Sequence, residues 1–268
     1  MNLRGLISVG WAEAKIGLLQ EMQFRVVGFL QLLGFLIEPI VLLVVWRTVS
    51  LQSGSIGNYS SDEIVAYYVV WTLVRAMNLA LTPYVWEWWI QFGRVSHMLM
   101  HPTSVYWRST MNFVGMKFLW FTMWLPVGAT LFLVFRPNIV FTWRTFVFGF
   151  FALWGAYFVR ASYQFLLGLI GFWTTRVAAL FEVITMSEIL LSGRLVPMSV
   201  MPEWVQSISD FLPFKWTFQF PIEVIIGRLA PSDVFIGWTF QAGWIVVLAT
   251  SIGLVWKRAV RRYTAVGS

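Results

Sequence analysis

The chain contains no cysteine among its 268 residues, which excludes a disulfide framework, a thiolate metal site and a thiol nucleophile. It is also poor in charge. Charged residues make up 12% of it, about half the share found in a soluble globular domain, so a water-soluble fold could not cover its apolar surface. No stretch fits G-x-x-x-x-G-K-[ST] and no Gly is followed by Lys, so the phosphate-cradling loop of a nucleotide-driven motor is missing. No serine stands in G-x-S-x-G, the turn that presents a hydrolase nucleophile. His97 and His101 are four apart, as zinc-binding histidines on a helix are, but Met98 stands where a metalloprotease carries its glutamate base. Without a nearby carboxylate or third ligand they read as solvated loop histidines. A membrane-embedded enzyme therefore finds no nucleophile–base or metal constellation here.

What the chain does have is apolar surface: 59% of residues are hydrophobic, gathered into runs near the ~20 residues that a hydrocarbon core about 30 Å thick demands of a helix. Seventeen Trp, 24 Phe and 8 Tyr suit a protein anchored at two membrane interfaces. The net charge of +7 is scattered singly or set beside apolar runs. That pattern orients a protein in a membrane and does not bind nucleic acid.

Arg4, Glu13, Lys15, Glu21 and Arg25 interrupt the first 25 residues, so no cleavable signal peptide is expected. Residues 3–22 read as an interfacial helix, with Leu3, Ile7, Trp11, Ala14, Leu18 and Met22 on one stripe. Six spans follow, over 26–49, 64–85, 111–135, 147–172, 177–191 and 234–256, the fifth being short for a full crossing. A very short connection containing Arg176 joins the fourth to the fifth. Residues 52–62 and the Arg136-Pro137-Asn138 turn supply connecting loops. With no internal repeat and no long linker, residues 1–268 form a single transmembrane domain. Lys257, Arg258, Arg261 and Arg262 abut the last span, and the positive-inside rule then puts both termini in the cytoplasm. Residues 86–109 become a cytoplasmic loop, and 193–227 an external element. In the latter, Pro197, Pro202, Pro213 and Pro221 cut pieces too short to cross; 203–212 reads as a surface helix, and 214–226 as a stretch that dips in and returns.

Two features could carry function. Glu38, Arg75, Arg160, Glu182 and Glu188 lie inside spans, where an unpaired charge costs a few kcal/mol. At 1.5 Å per residue, Glu38 is roughly 18 Å deep and Arg75 roughly 15 Å, Arg160 and Glu188 each roughly 18 Å, and Glu182 about 9 Å. Matched depth allows Glu38–Arg75 and Arg160–Glu188 ion pairs that hold helices in register; a polar lining or proton relay is the other reading, and with it an ATP-independent, ion-coupled transporter or channel. The second feature is the cytoplasmic loop. Trp86, Trp88, Trp89 and Phe92 precede Gly93, Arg94, Ser96, Met98, Leu99 and Met100, and Pro102 stops the run. A short helix with a basic edge and exposed apolar side chains suits a cytosolic partner's groove, or rests on lipid.

These phrases resemble the permeases of type-2 ABC exporters, especially a bacterial branch in which two related permeases accompany one ATPase. The resemblance covers nearly the whole chain. It rests on Gly93-Arg94-Val95-Ser96 with Leu99 and Pro102, on Phe172-Trp173-Thr174, on Ser192-Gly193-Arg194 with Pro197 and Pro202-Glu203-Trp204, on Leu212-Pro213-Phe214, and on Arg261-Arg262-Tyr263 with Gly267. It implies an all-α membrane protein: an N-terminal interfacial helix, six spans, a cytoplasmic coupling helix after span 2, and short external or re-entrant helices between spans 5 and 6. Gln91, Phe92, Gly93, Arg94, Val95, Ser96, Leu99 and Met100 inherit the ATPase-coupling role. Pro197, Pro202, Trp204, Phe211, Pro213, Phe214, Pro221 and Glu223 inherit that of an external cap. Export of a hydrophobic or amphipathic substrate across a bacterial plasma (inner) membrane is implied, with a dimer of a cytosolic ABC ATPase and a second related permease, or a second copy of this one, as partners. The chain itself would hold no cofactor, and ATP and Mg would sit on the ATPase.

Overall fold

The computed structural model describes residues 3–139, 141–174 and 177–263; Arg176 in the expected connection and Gly267 near the end lie outside them. Among these residues eleven α-helices and one small ribbon follow each other. They are α1 (Leu3–Gln23), α2 (Arg25–Ser53), β1 (Ser55–Ile56), β2 (Tyr59–Ser60), α3 (Ser61–Met77), α4 (Pro83–Gln91), α5 (Val95–Leu99), α6 (Val105–Phe135), α7 (Trp143–Leu169), α8 (Val177–Leu191), α9 (Glu203–Phe211), α10 (Gln219–Ile225) and α11 (Pro231–Arg262). The strands pair antiparallel, Ser55 with Ser60 and Ile56 with Tyr59.

Among the described residues four helices are long and apolar enough to cross a membrane: Arg25–Ser53, Val105–Phe135, Trp143–Phe172 and Pro231–Arg262. Each runs beyond the apolar core of about 20 residues that a bilayer requires, so the expected spans 26–49, 111–135, 147–172 and 234–256 lie inside longer helices. Two of the starts are fixed by caps, Ser104 accepting from the Trp107 N–H and Thr142 from the Thr145 N–H. The chain is thus a multi-pass helical membrane protein.

The expected span 64–85 is not one helix. α3 ends at Met77, residues 78–82 unwind, and Pro83 opens α4. Proline lacks an N–H and pushes the residue before it out of the helical region, and Thr82 is extended, with φ −81° and ψ 150°. The expected 177–191 span is the 15-residue α8, roughly 22 Å long. Within residues 86–109, expected to carry a single short helix, there are two: α4 runs into the stretch and meets α5 at Gly93, which turns the chain with φ +68°.

α1 takes Ala14 out of the expected outward stripe. Ile7, Trp11 and Met22 point outward, while Gly10, Glu13, Ala14 and Gly17 face α6. A Cβ on Gly115 would lie 1.7 Å from the Ala14 carbonyl oxygen, and one on Gly17 2.0 Å from that of Asn112. Small residues let the two backbones close up, whereas lipid solvates the large apolar ones. An ion pair between Glu13 and Arg108 and a bond from Trp107 Nε1 to the Leu6 carbonyl (3.0 Å) fix the register.

α3 is the central helix, with Tyr67, Tyr68, Trp71 and Val74 fully enclosed. Against it and α7 sits the irregular segment 192–226. Bare carbonyls there would be costly in an apolar surrounding, and side chains of α2, α3 and α11 and of the unwound stretch satisfy them. Tyr67 Oη donates to the Gly193 carbonyl (2.7 Å), Tyr68 Oη and Trp46 Nε1 to that of Leu195 (2.8 and 3.0 Å), Gln241 Nε2 to that of Trp216 (2.9 Å), and Asn78 Nδ2 to that of Thr217.

Candidate functional site

The unwound stretch after α3 and the buried charges belong to one constellation. The free carbonyls at a helix C-terminus carry partial negative charge, and two cations use them: Arg160 Nη1 donates to the Asn78 carbonyl (2.7 Å) and Lys117 Nζ to that of Leu79 (2.7 Å). Lys117 Nζ also lies 3.9 Å from the Tyr157 ring centroid. Arg160 Nη2 is 3.0 Å from Glu188 Oε1, and Tyr163 Oη donates to Glu188 Oε2. Glu188 on α8 is thereby tied to α7.

Arg194 links this pair to a second. Gly193, with φ +77°, turns the chain back just after α8 and delivers Arg194 to Glu38 on α2, which it grips through Nε (2.9 Å) and Nη2. Arg194 Nη1 also comes within 3.8 Å of Glu188 Oε1. Arg75 Nη2 reaches Glu38 Oε2 at 3.6 Å, too far for a hydrogen bond. So Glu38, Arg75, Arg160 and Glu188 do converge, but the residue that joins them is Arg194, which topology alone had assigned to the outer loop. Three guanidinium groups, Arg75, Arg160 and Arg194, thus face two carboxylates, Glu38 and Glu188. Glu182 stands apart, exposed in the second turn of α8, where it accepts from Tyr84 Oη.

In the first turn of α4, Trp86 is fully buried among Trp89, Phe165, Phe172 and Trp256, at centroid distances of 5.0 to 6.1 Å. Gly168 of α7 makes room, since a Cβ there would lie 2.0 Å from Trp86 Cδ1. Val95 is buried as well, and Ser96 Oγ meets Tyr263 Oη at 2.9 Å. These residues anchor the loop to α7 and α11 and offer nothing to a partner. Outward stand Phe92 and Met100, 66% and 76% exposed, with Gln91 and with Trp88, whose ring lies 4.2 Å under the Arg94 guanidinium. Leu99 is half-buried and Gly93 is the hinge. His97 and His101 are exposed, with ring centroids 5.2 Å apart.

In the segment 193–227, Pro197, Pro213, Phe214 and Pro221 are buried, whereas Pro202, Trp204 and Phe211 are exposed. α9 seats Val205 and Ser209 inward and turns Trp204, Ile208 and Phe211 outward. Glu223 accepts from Tyr59 Oη and from Gln219 Nε2 (2.9 Å). Burial pushes its carboxyl above the usual range, against the opposing effects of those two bonds and of Lys215 and Arg228. Burial, then Glu223, pushes the Tyr59 phenol well up. Arg228 stacks 3.7 Å from the Tyr59 centroid and binds Glu63 Oε1 at 2.8 Å. Burial would raise the Glu63 carboxyl, but hydrogen bonds from the Ser60 N–H and hydroxyl, together with Arg228, hold it below its ordinary value.

Sequence reasoning met Arg194 only in the phrase Ser192-Gly193-Arg194 of the outer segment, not among the intramembrane charges, and passed over Lys117, Asn78 and Tyr163. Lys117 left a signal, a lone cation inside an apolar run; Asn78 left a weaker one, five residues before a proline. A family model described as "ABC-2 family transporter protein" matches residues 36–267. No curated protein and no solved structure matches.

Proposed function

The chain belongs to the ABC-2 family of transporter proteins, and from that membership we propose that it exports a hydrophobic or amphipathic substrate out of the cytoplasm, driven by a separate ATPase. It is the membrane permease of an ABC transporter, and an ABC ATPase is its partner. The finer reading has two ATPase copies docking on the cytoplasmic loop, a second related permease or a second copy of this chain completing the membrane part, and six crossings. Both termini then lie in the cytoplasm of a bacterial plasma membrane, and residues 193–227 cap the outer end.

The observation that carries the coupling role is the division of the loop into two faces. Trp86 and Val95 bind it to α7 and α11, while Trp88, Phe92, Arg94 and Met100 project from it. An apolar knob with a cationic rim matches a groove on a cytosolic partner, and its rigid root passes a displacement of that partner into the spans. In the test, Trp88, Phe92 and Arg94 are replaced together by alanine. The expected result is that the permease inserts at its normal level but no longer retains the ATPase on purification. Undiminished ATPase retention and ATP hydrolysis would remove the loop from the coupling path.

A further inference from the structure

Resting on the export reading, we infer that Arg75 is a receptor for the oxyanion headgroup of an amphipathic ligand. A guanidinium presents five N–H donors in a planar fork and stays charged at any accessible pH. No hydrogen bond joins Arg75 to a described residue: its ion-pair partner Glu38 Oε2 stands 3.6 Å from Nη2, its Nε is buried without a partner, and the Phe35 ring lies 5.5 Å away. Its side chain is nevertheless only 12% exposed. Such a group normally finds acceptors, as its neighbours do: Arg160 has Glu188 and the Asn78 carbonyl, Lys117 the Leu79 carbonyl, and Arg194 both carboxylate oxygens of Glu38. Glu38 is already taken by Arg194 and cannot turn its better face to Arg75. The excess of cations over carboxylates in the cluster is therefore concentrated at the residue with free donors.

The site is open on one side. The Glu38 side chain is 37% exposed, and beyond it α2 presents Leu33, Ile37 and Val41 outward. A phosphate, sulfonate or carboxylate can accept two parallel N–H bonds from the fork, while an alkyl chain lies along that apolar face of α2. Glu38 sets the limit, because its carboxylate repels a headgroup that strays from the fork. Cationic and neutral amphiphiles gain nothing from Arg75.

The test uses the permease–ATPase complex in phosphatidylcholine nanodiscs without nucleotide, with radiolabelled dodecyl phosphate as probe and dodecanol and dodecyltrimethylammonium as competitors. Saturable binding is expected, displaced at least tenfold less effectively by either competitor. Arg75→Gln weakens it tenfold or more; Arg75→Lys, which keeps the charge and loses the fork, falls between. If Arg75→Gln fails to assemble, a photoreactive alkyl phosphate on the unaltered complex decides, expected to label peptides spanning 33–41 and 71–77. Equal affinity for dodecanol, an unaffected Arg75→Gln variant or labelling elsewhere would overturn the site. So would absent binding coupled with loss of permease pairing in Arg75→Gln, which would assign Arg75 to a partner's carboxylate. Adding ATP to liposomes then separates two sources of the same chemistry: transfer of the probe to the outer face identifies a transported amphiphile, and a probe that stays bound and is competed by phosphatidylglycerol identifies a resident lipid. Because binding is read without ATP, failure of the site and failure of the export reading are separate outcomes: a bound probe that ATP does not move and phosphatidylglycerol does not displace counts against the export reading alone.

Discussion

Arg160 and Glu188 show what a buried pair does at the scale of single residues. Their side chains are 8% and 2% exposed, so neither charge can fall back on solvent. Removing one partner of such a pair costs about 3–5 kcal/mol, while replacing both with apolar side chains of similar size is often close to neutral. Glu188→Ala and Arg160→Met are each expected to lower thermal stability of the detergent-solubilised protein sharply. The Arg160→Met/Glu188→Met double variant should recover most of the loss. Additive losses would mean that the two side chains act independently. Glu223 offers a pH handle of the opposite kind. Its folded-state carboxyl titrates above the unfolded value because of burial, so it contributes stability that is complete below the unfolded value and lost as pH rises through the folded one. The melting temperature of the protein should therefore rise on going from neutral to mildly acidic pH, and Glu223→Gln should flatten that component. A pH dependence unchanged by Glu223→Gln would place the titrating group elsewhere.

Among the elements, α4 carries the most consequence. Its first turn is set by Pro83 and its hold on the bundle by Trp86. Gly168→Ala adds a methyl group 2.0 Å from the Trp86 indole, which is closed in by four aromatic rings and cannot yield without shifting α4. The gain of about 1 kcal/mol from alanine over glycine in a helix does not offset such an overlap. Gly168→Ala is expected to keep membrane insertion but to cut ATP hydrolysis by the complex several-fold; an unchanged rate would show that the position of α4 is not transmitted. The loop was legible in the sequence as an aromatic, basic-edged element, because exposed hydrophobic residues beside Gly and Pro stand out. Its split into α4 and α5, and the burial of Val95, were not, since helical periodicity over five to nine residues does not say which side meets the bundle.

For the whole molecule, the lack of cysteine makes topology directly measurable. Single cysteines introduced at Thr103, Asn58 and Trp204 provide the reading with a membrane-impermeant maleimide. With six crossings and cytoplasmic termini, Asn58→Cys and Trp204→Cys are expected to react in intact cells, and Thr103→Cys only after the membrane is opened. Reaction of all three from one side would leave only the four long helices crossing. This arrangement depends on α3 and α4 acting as one interrupted crossing and on α8 being seated beside it, with irregular backbone enclosed by protein rather than lipid.

Composition and run length alone determined that the chain is a helical membrane protein, because the thickness of a bilayer is read directly from a linear string. Depth along a span was also legible, and it singled out Glu38, Arg75, Arg160 and Glu188. Depth, however, is one coordinate of three. Which helices are neighbours and which way each is rotated are decided only when backbones pack: at Gly17 and Gly115 for α1 and α6, at Gly168 for α4 and α7. Only that packing turned Arg194 back onto Glu38 and set the α3 terminus against Arg160 and Lys117. It also left Arg75, a cation among cations, with its donors free.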